Sequence, residues 1–222
     1  MLDNPVWYAL GSTHRAFRHG TALAARYPAD VTRFAGLAAP TPEAFADLAT
    51  MVQPGDRVAL VTAAPVAVPD AWQLMRSRPV DQMVCHRLAG EVAALPARLG
   101  TDDVPEMLAL TAATDPGPFG ERTIGMGRYY GIRAGEDGRL VAMAGERMQL
   151  TGYTEVSAVC CDPDFRGRGY ARRLVAGLVG QLLAEGRTPF LHVKTENGAK
   201  ALYEALGFTV RRAVQLTVIA LN

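Results

Sequence analysis

The alternation of apolar and polar positions is clearest around a buried strand and the helix behind it. Residues 155 to 161 are mostly Val, Ala and Cys without Pro or Gly, which predicts a strand that is buried on both faces. Asp162-Pro163-Asp164 ends this strand, because proline has no N–H for a ladder. Apolar residues then recur at helical spacing: Ala171, Leu174, Val175, Leu178, Val179, Leu182 and Leu183. The pattern predicts strand, glycine-containing turn and helix in succession.

The same patterns predict the remaining elements. Helices are expected to begin at Asp3-Asn4-Pro5, at Thr41-Pro42-Glu43 and near Thr101, and a hairpin turn is expected at 135 to 138. Strands are expected at 57 to 62, 80 to 88, 130 to 133, 140 to 148, 154 to 161 and 189 to 193, followed by a last pair at 208 to 214 and 216 to 221. This order predicts an α/β (α+β) protein with a mixed, mostly antiparallel sheet and helices on both faces.

The turn before the long helix has the features of an anion site. Gly167 and Gly169 have no Cβ to block a phosphate, and the unpaired N–H groups of the helix start point toward one place. Arg166 and Arg168 add positive charge. The spacing does not fit a Walker loop, and Arg172 stands where a dinucleotide fingerprint needs a small residue. A nucleotide-binding regulatory domain is therefore disfavoured.

Two motifs resemble the GNAT superfamily of N-acyltransferases. Arg166, Gly169 and Ala171 match its acyl-CoA signature, Arg/Gln-x-x-Gly-x-Gly/Ala. Downstream, Asn197 to Phe208 matches a second signature, Asn-x-x-Ala-x-x-Leu-Tyr-x-x-x-Gly-Phe, at every fixed position. The resemblance covers Ala97 to Val218 and implies the GNAT fold, acetyl-CoA as co-substrate and transfer of an acyl group to an amine.

The resemblance also implies a set of site residues. CoA would be bound by Val159, Cys160, Cys161, Arg166, Gly167, Arg168, Gly169, Tyr170, Ala171, Arg172, Asn197 and Tyr203. Tyr203 would protonate the leaving thiolate, and backbone N–H groups near 159 to 161 would polarise the carbonyl. Acceptor contacts are expected at Phe119, Arg122 and Tyr129, in a region that in this family covers the acceptor pocket.

The general base is left open between two carboxylates on the central strands. Glu155 begins an otherwise apolar strand, and Glu146 ends a row of small residues, Ala142 and Ala144. We place Glu155 slightly before Glu146; exposure at a strand end would explain either acid equally well. His192, among apolar neighbours, is interpreted as a satisfied core or rim residue rather than a base.

Composition excludes several classes of protein. The 222 residues include 23 basic and 22 acidic side chains, a formal net charge of +1, which argues against a nucleic-acid or membrane-surface partner. The three cysteines, Cys85, Cys160 and Cys161, and the four histidines have no metal-ligand spacing, so no metal is expected. Absence of a signal-like start or a membrane-length apolar run predicts a cytoplasmic protein.

We expect two regions and one enzyme. Residues 1–90 would form an N-terminal lobe, either a degenerate GNAT-like copy or an unrelated docking domain, and residues 97–222 the GNAT domain. The predicted activity is acetyl-CoA-dependent N-acetylation by direct attack in a ternary complex, on a small-molecule or peptide amine. The alternative is an acyl-CoA-binding sensor or scaffold without turnover. The acceptor's identity and homodimer formation are left open.

Overall fold

The computed structural model describes residues 1–134, 138–196 and 198–222. Its α-helices are α1 (Pro5–Gly11), α2 (Pro42–Ala49), α3 (Val104–Thr114), α4 (Tyr170–Ala184) and α5 (Lys200–Ala205). Its strands are β1 (His19–Gly20), β2 (Ala24–Arg26), β3 (Phe34–Leu37), β4 (Arg57–Thr62), β5 (Trp72–Val84), β6 (Ala97–Arg98), β7 (Tyr129–Ala134), β8 (Arg139–Leu150), β9 (Tyr153–Cys161), β10 (Thr188–Val193) and β11 (Thr209–Leu221). Short 3-10 turns occupy Arg15–Phe17, Thr101–Asp103, Thr123–Met126 and Pro163–Phe165.

All eleven described strands form one sheet, in the order β1-β2-β3-β4-β11-β5-β10-β9-β8-β7-β6. Two pairs are parallel, β3 with β4 and β9 with β10, and the others are antiparallel. The expected mixed, mostly antiparallel sheet is confirmed. The last strand, β11, is inserted between β4 and β5. It therefore pairs with β4, and β5 pairs with β10 on its other edge. Both halves of the chain therefore contribute to one continuous sheet, and a domain boundary near residue 90 stays a prediction.

Helices cover both faces of the sheet. α2, α4 and α5 pack on one face, where Phe45, Leu48, Leu174 and Leu178 are fully buried. On the other face, α1 packs against a cluster that contains residues from both halves of the chain, among them Phe34, Met148 and Phe190, and α3 packs farther along. Burial of these apolar side chains makes the largest favourable contribution to the free energy of folding.

Two strand expectations are corrected. The segments 208 to 214 and 216 to 221 are one strand, because Gln215 pairs with Thr62 on one side and Pro79 on the other. The strand expected at 80 to 88 ends at Val84 and begins at Trp72. The predicted hairpin turn at 135 to 138 lies largely outside the described residues.

Candidate active site

The central strands of the sheet separate where the predicted site lies. β9 and β10 pair only at three positions, ending with Glu155 opposite Phe190. Beyond that point β10 continues alongside β5, where Leu191 pairs with Met83. Residues 156 to 161 of β9 therefore have no partner on their β10 side within the described residues, and a wedge-shaped opening begins directly after Glu155.

A bulge bends β9 beside this opening. Met143 pairs with Cys160 and Gly145 with Ser157, so β9 has one more residue than β8 between these pairs. Ala158 lies in this interval with φ of 51°, a left-handed conformation that is uncommon for a residue with a side chain. Such a bulge leaves backbone groups without a ladder partner, which is the property required of N–H groups that bind a carbonyl oxygen.

The turn between β9 and α4 has the open geometry expected from its glycines. Gly167 and Gly169 have φ of 75° and 77°, and a Cβ added at either would meet nothing within 4 Å. Gly169 is the N-cap of α4, and this residue supplies no side-chain cap to the first turn of that helix. The first N–H groups of α4 are thus free to bind an anion, with the positive end of the helix dipole behind them.

The positions predicted to bind CoA follow this path. Val159, Cys160 and Cys161 lie on the part of β9 that has no described partner on its β10 side. The other predicted positions surround the start of α4: Arg166, Gly167, Arg168, Gly169, Tyr170, Ala171 and Arg172. Arg168 lies over the ring of Phe165 at 4.7 Å and donates a hydrogen bond to the carbonyl oxygen of Asp164. Asn197 lies outside the described residues.

Tyr203 is a buried phenol on α5. Its ring meets Phe208 edge to face, with centroids 5.9 Å apart, and its residue is 8% exposed. Burial raises the pKa of Tyr203 to about 12, followed by a smaller effect of nearby Cys160. The hydroxyl therefore keeps its proton at neutral pH, as a proton donor must.

Glu155 is buried in an ion pair at the point where the strands separate. Arg147 donates two hydrogen bonds to its carboxylate, at 2.8 and 2.7 Å, and His192 Nδ1 lies 2.8 Å from Oε1. Burial would raise the pKa of Glu155, but the charge and hydrogen bonds of Arg147 and His192 outweigh it and lower the pKa to about 2. A carboxylate with so low a pKa is a weak proton acceptor, and its geometry favours a role in orienting His192.

The tautomer of His192 follows from its second neighbour. Gln82 Nε2 lies 3.0 Å from His192 Nε2 and also donates to the carbonyl oxygen of Leu2, while its Oε1 accepts from Arg211. These two contacts fix the amide orientation, so Nε2 of Gln82 donates and Nε2 of His192 accepts. His192 consequently donates its Nδ1 proton to Glu155, an arrangement that fixes the tautomer and the orientation of its ring.

Glu146 lies in a different environment from Glu155. Its carboxylate pairs with Arg128 at 2.5 Å, and Arg128 also binds Glu185, which follows the end of α4, at 2.6 and 2.8 Å. Glu146 pairs with Val156 across β8 and β9, and Val156 belongs to the cluster beneath α4. The acid therefore connects the sheet to the far end of α4, and its geometry favours a structural role.

The three positions expected to contact the acceptor are only partly brought together. Phe119 meets Tyr129 edge to face at 5.6 Å, and the Tyr129 hydroxyl is buried without a hydrogen-bond partner among the described residues. Tyr129 lies near Arg147 and Glu155, close enough for their charges to influence its pKa, which burial raises. Arg122 points elsewhere and pairs with exposed Asp30 at 2.9 Å.

Sequence reasoning missed Arg147 and Gln82. Arg147 is buried, and its guanidinium also lies 4.9 Å from the ring of Phe34 on β3. The signal was an arginine within a predicted apolar strand, which requires a buried acid such as Glu155 to pair with it. No local signal identified Gln82, because β5 reaches this site from the other half of the chain.

The described residues contain neither a metal-binding cluster nor a membrane-spanning helix. No group of three or more His, Cys, Asp or Glu in the described ranges is arranged to hold a metal ion. No helix among the described residues has both the length and the apolar character needed to cross a membrane.

Comparison with known proteins identifies the family. Residues 129–216 match the model of the FR47-like protein family. The chain is 34% identical over 122 residues to the [ribosomal protein bS18]-alanine N-acetyltransferase of Salmonella typhimurium, a match that covers 51% of this chain and 82% of that protein.

Solved structures agree with this assignment. A structure described as an acetyltransferase of the GNAT family from Novosphingobium aromaticivorans is 39% identical to this chain, with a TM-score of 0.89. The match covers 100% of this chain and 98% of that one. A GCN5-related N-acetyltransferase from Kribbella flavida, 18% identical with a TM-score of 0.65 over 97% of this chain and 93% of that one, shares the fold. The chain belongs to the GNAT superfamily and is an N-acetyltransferase.

Proposed function

We propose that the protein transfers an acetyl group from acetyl-CoA directly to an amine while both substrates are bound. The observation that carries this proposal is the opening between β9 and β10 beside the uncapped start of α4. A thioester arm can pass through such an opening while the turn N–H groups at 167 to 172 bind the CoA pyrophosphate. This arrangement would hold the thioester beside the bulge at Ala158, where backbone donors can polarise its carbonyl.

Direct attack is supported by the state of the nearby thiols. Burial raises the pKa of Cys160 to about 11 and also raises the pKa of Cys161. Both thiols remain protonated at neutral pH and are poor nucleophiles, because the thiolate is the reactive form. An acyl-enzyme on either cysteine is therefore disfavoured relative to attack by the acceptor amine itself.

The reaction requires two bond changes and two proton transfers. The amine nitrogen forms a bond to the thioester carbon, and the carbon–sulfur bond breaks. In the proposal, Nε2 of His192 takes the proton that leaves the amine, which requires Gln82 to release that nitrogen, and Glu155 stabilises the resulting imidazolium. The Tyr203 hydroxyl gives its proton to the departing thiolate.

We propose that the acceptor is the terminal amine of a polypeptide. The Salmonella relative is named for acetylation of an alanine of ribosomal protein bS18, and the chain matches 82% of its length. An extended peptide would approach the opening on the face opposite α4 and α5, since those helices and their apolar cluster fill the other face. Tyr129, whose buried hydroxyl has no partner in the described part of the chain, lies near Arg147 and Glu155 in this part of the site.

The test is thiol release from acetyl-CoA in the presence of peptides, amino acids and small amines, with mass spectrometry to locate the acetyl group. We expect release that depends on a peptide with a free terminal amine and product labelled only at that amine. A peptide whose terminal amine is already blocked is the matched control. Tight acetyl-CoA binding with no amine-dependent release, or labelling only of lysine side chains, would contradict the proposal.

A further inference from the structure

One edge of β5 is free next to the proposed active site. Gln82 and Asp81 pair with His192 and Val193 at the end of β10, so β5 residues before Asp81 extend beyond that end. In the described part of the chain, no strand pairs with residues 72 to 80 on this side. Since β9 runs parallel to β10, the carboxyl ends of both strands lie at the same end of the sheet, together with the glycine-containing turn that follows β9.

Two arginines on this part of β5 share a face with the proposed base. Side chains two residues apart on a strand point to the same face, and β5 has no bulge between Arg76 and Gln82. Arg76 and Arg78 therefore lie on the face on which Gln82 contacts His192. This is also the face from which an acceptor would approach.

Both arginines lack a counter-charge. Within the described ranges, neither guanidinium forms an ion pair or a side-chain hydrogen bond, and Nε of Arg78 is buried without a partner. The acids nearby are already paired: Asp3 with Arg211 and Arg212, and Asp81 with Lys200. Arg76 is exposed and Arg78 is half-buried, so a ligand that supplies carboxylates to these guanidinium groups gains charge-assisted hydrogen bonds.

Distance selects the length of that ligand. Arg78 lies four positions before Gln82 on the strand, which corresponds to about 13 Å between them. A free amino acid is too short to place its amine beside His192 and its carboxylate at Arg78. An extended peptide covers this distance with about four residues, and Arg76 lies two residues farther along.

We propose that the preferred acceptor is an acidic polypeptide, with Asp or Glu at about the fourth to sixth residue, that lies along the free edge of β5. Carboxylates at these positions pair with Arg78 and Arg76 while the terminal amine reaches the opening of the sheet. This inference rests on the proposed function and names the substrate class for the same site.

The experiment compares three peptides that share their first three residues and carry acidic, neutral or basic residues at positions four to six. We expect kcat/KM for the acidic peptide to exceed that for the neutral one by about tenfold, and the advantage to shrink with added salt. Arg78→Gln and Arg76→Gln should abolish the advantage by raising KM for the acidic peptide only. The control is Arg57→Gln, which removes an exposed arginine of β4 that also has no partner within the described ranges.

The outcomes separate the two levels of the proposal. Equal use of the three peptides by the unaltered protein would refute the acidic acceptor, as would variants that lower activity toward all three alike. Acceptance of free amino acids in preference to peptides would also refute it. Absence of thiol release with every amine would refute the proposed function itself. Measurements of CoA affinity and melting temperature check that each variant is folded.

Discussion

The sheet contains the same strand–helix–strand unit twice, with a different start to the helix in each. In the first unit, parallel strands β3 and β4 are joined through α2; in the second, parallel strands β9 and β10 are joined through α4. The hydroxyl of Thr41 accepts a hydrogen bond from the N–H of Ala44 and caps α2. Gly169 leaves the first turn of α4 uncapped.

This difference shows how little has to change to make a binding site. Both units supply a helix start with several N–H groups, but in the first unit a side chain satisfies one of them and no glycine lies in the turn. The second unit replaces the cap with an open turn, so that an anion can satisfy those groups. On the proposed assignment, the capacity to bind a phosphate depends on the turn rather than on the surrounding fold.

The largest expected effect comes from closing the open turn. Gly169→Glu places bulk and negative charge where the pyrophosphate is proposed to bind, and we expect CoA binding to be lost in titration calorimetry. The matched control is Gly186→Glu beyond the other end of α4, where φ is 72° and space is also open. Both variants carry the same backbone strain of about 1–2 kcal/mol, so equal CoA affinities would refute the assignment of the turn.

Next comes the ion pair where β9 and β10 separate, which has no counterpart in the first unit. Glu155→Gln leaves the buried Arg147 without a full counter-charge and should lower the free energy of unfolding by about 3–5 kcal/mol. Glu146→Gln should cost less, because Arg128 keeps Glu185 as a partner. Urea unfolding of both variants measures these free energies. Equal losses of unfolding free energy would show that the two acids contribute equally to stability.

The contact between the two halves should make stability depend on pH. His14 is buried between the Tyr27 hydroxyl and the carbonyl oxygen of Met126, and burial lowers its pKa from 6.5 to about 4. The unfolded chain therefore takes up this proton first as pH falls, so stability decreases from about pH 6.5 to 4, by up to roughly 3 kcal/mol. His14→Gln should flatten that part of the profile; an unchanged slope would assign it to other groups.

Removing the proposed proton donor should affect turnover alone. Tyr203→Phe is expected to lower kcat by about a hundredfold with little change in CoA affinity, because only a proton transfer in the transition state is lost. Tyr130→Phe, which removes a hydroxyl that donates to Gln181 at 3.0 Å, is the control for loss of a phenol elsewhere. Full activity in the Tyr203 variant would place the acid on another group.

The smallest expected effect tests the capped helix. Thr41→Ala should lower the free energy of unfolding by about 1 kcal/mol, the usual value of an N-cap, and leave kcat/KM unchanged. Thr41→Ser keeps the oxygen and should restore most of the loss. A fall in activity larger than the loss in stability would mean that the first unit contributes to the site.

Much of the second unit was predictable because its signals are local. The apolar run, the turn residues and the helical spacing lie within thirty residues, and the predicted strand at 154 to 161 became β9 at Tyr153–Cys161. Likewise, the two glycines of the turn have the positive φ that their position suggested.

What could not be predicted depends on contacts between distant segments. Local patterns contain no information on the pairing of β5 with β10, so Gln82 and the tautomer of His192 were out of reach. The bulges in β8 and β9 shift which residues face each other, and for that reason Glu155 was expected as a base rather than as the partner of Arg147.

The insertion of β11 between β4 and β5 has a consequence for folding. β4 cannot be covered on its outer edge until Thr209–Leu221 has been synthesised, and β10 depends on a strand made more than a hundred residues earlier. Such pairings give a high contact order, which predicts slow folding and a late, highly cooperative closing step. A nascent chain that has not yet reached β11 would expose a strand edge that is open to mispairing.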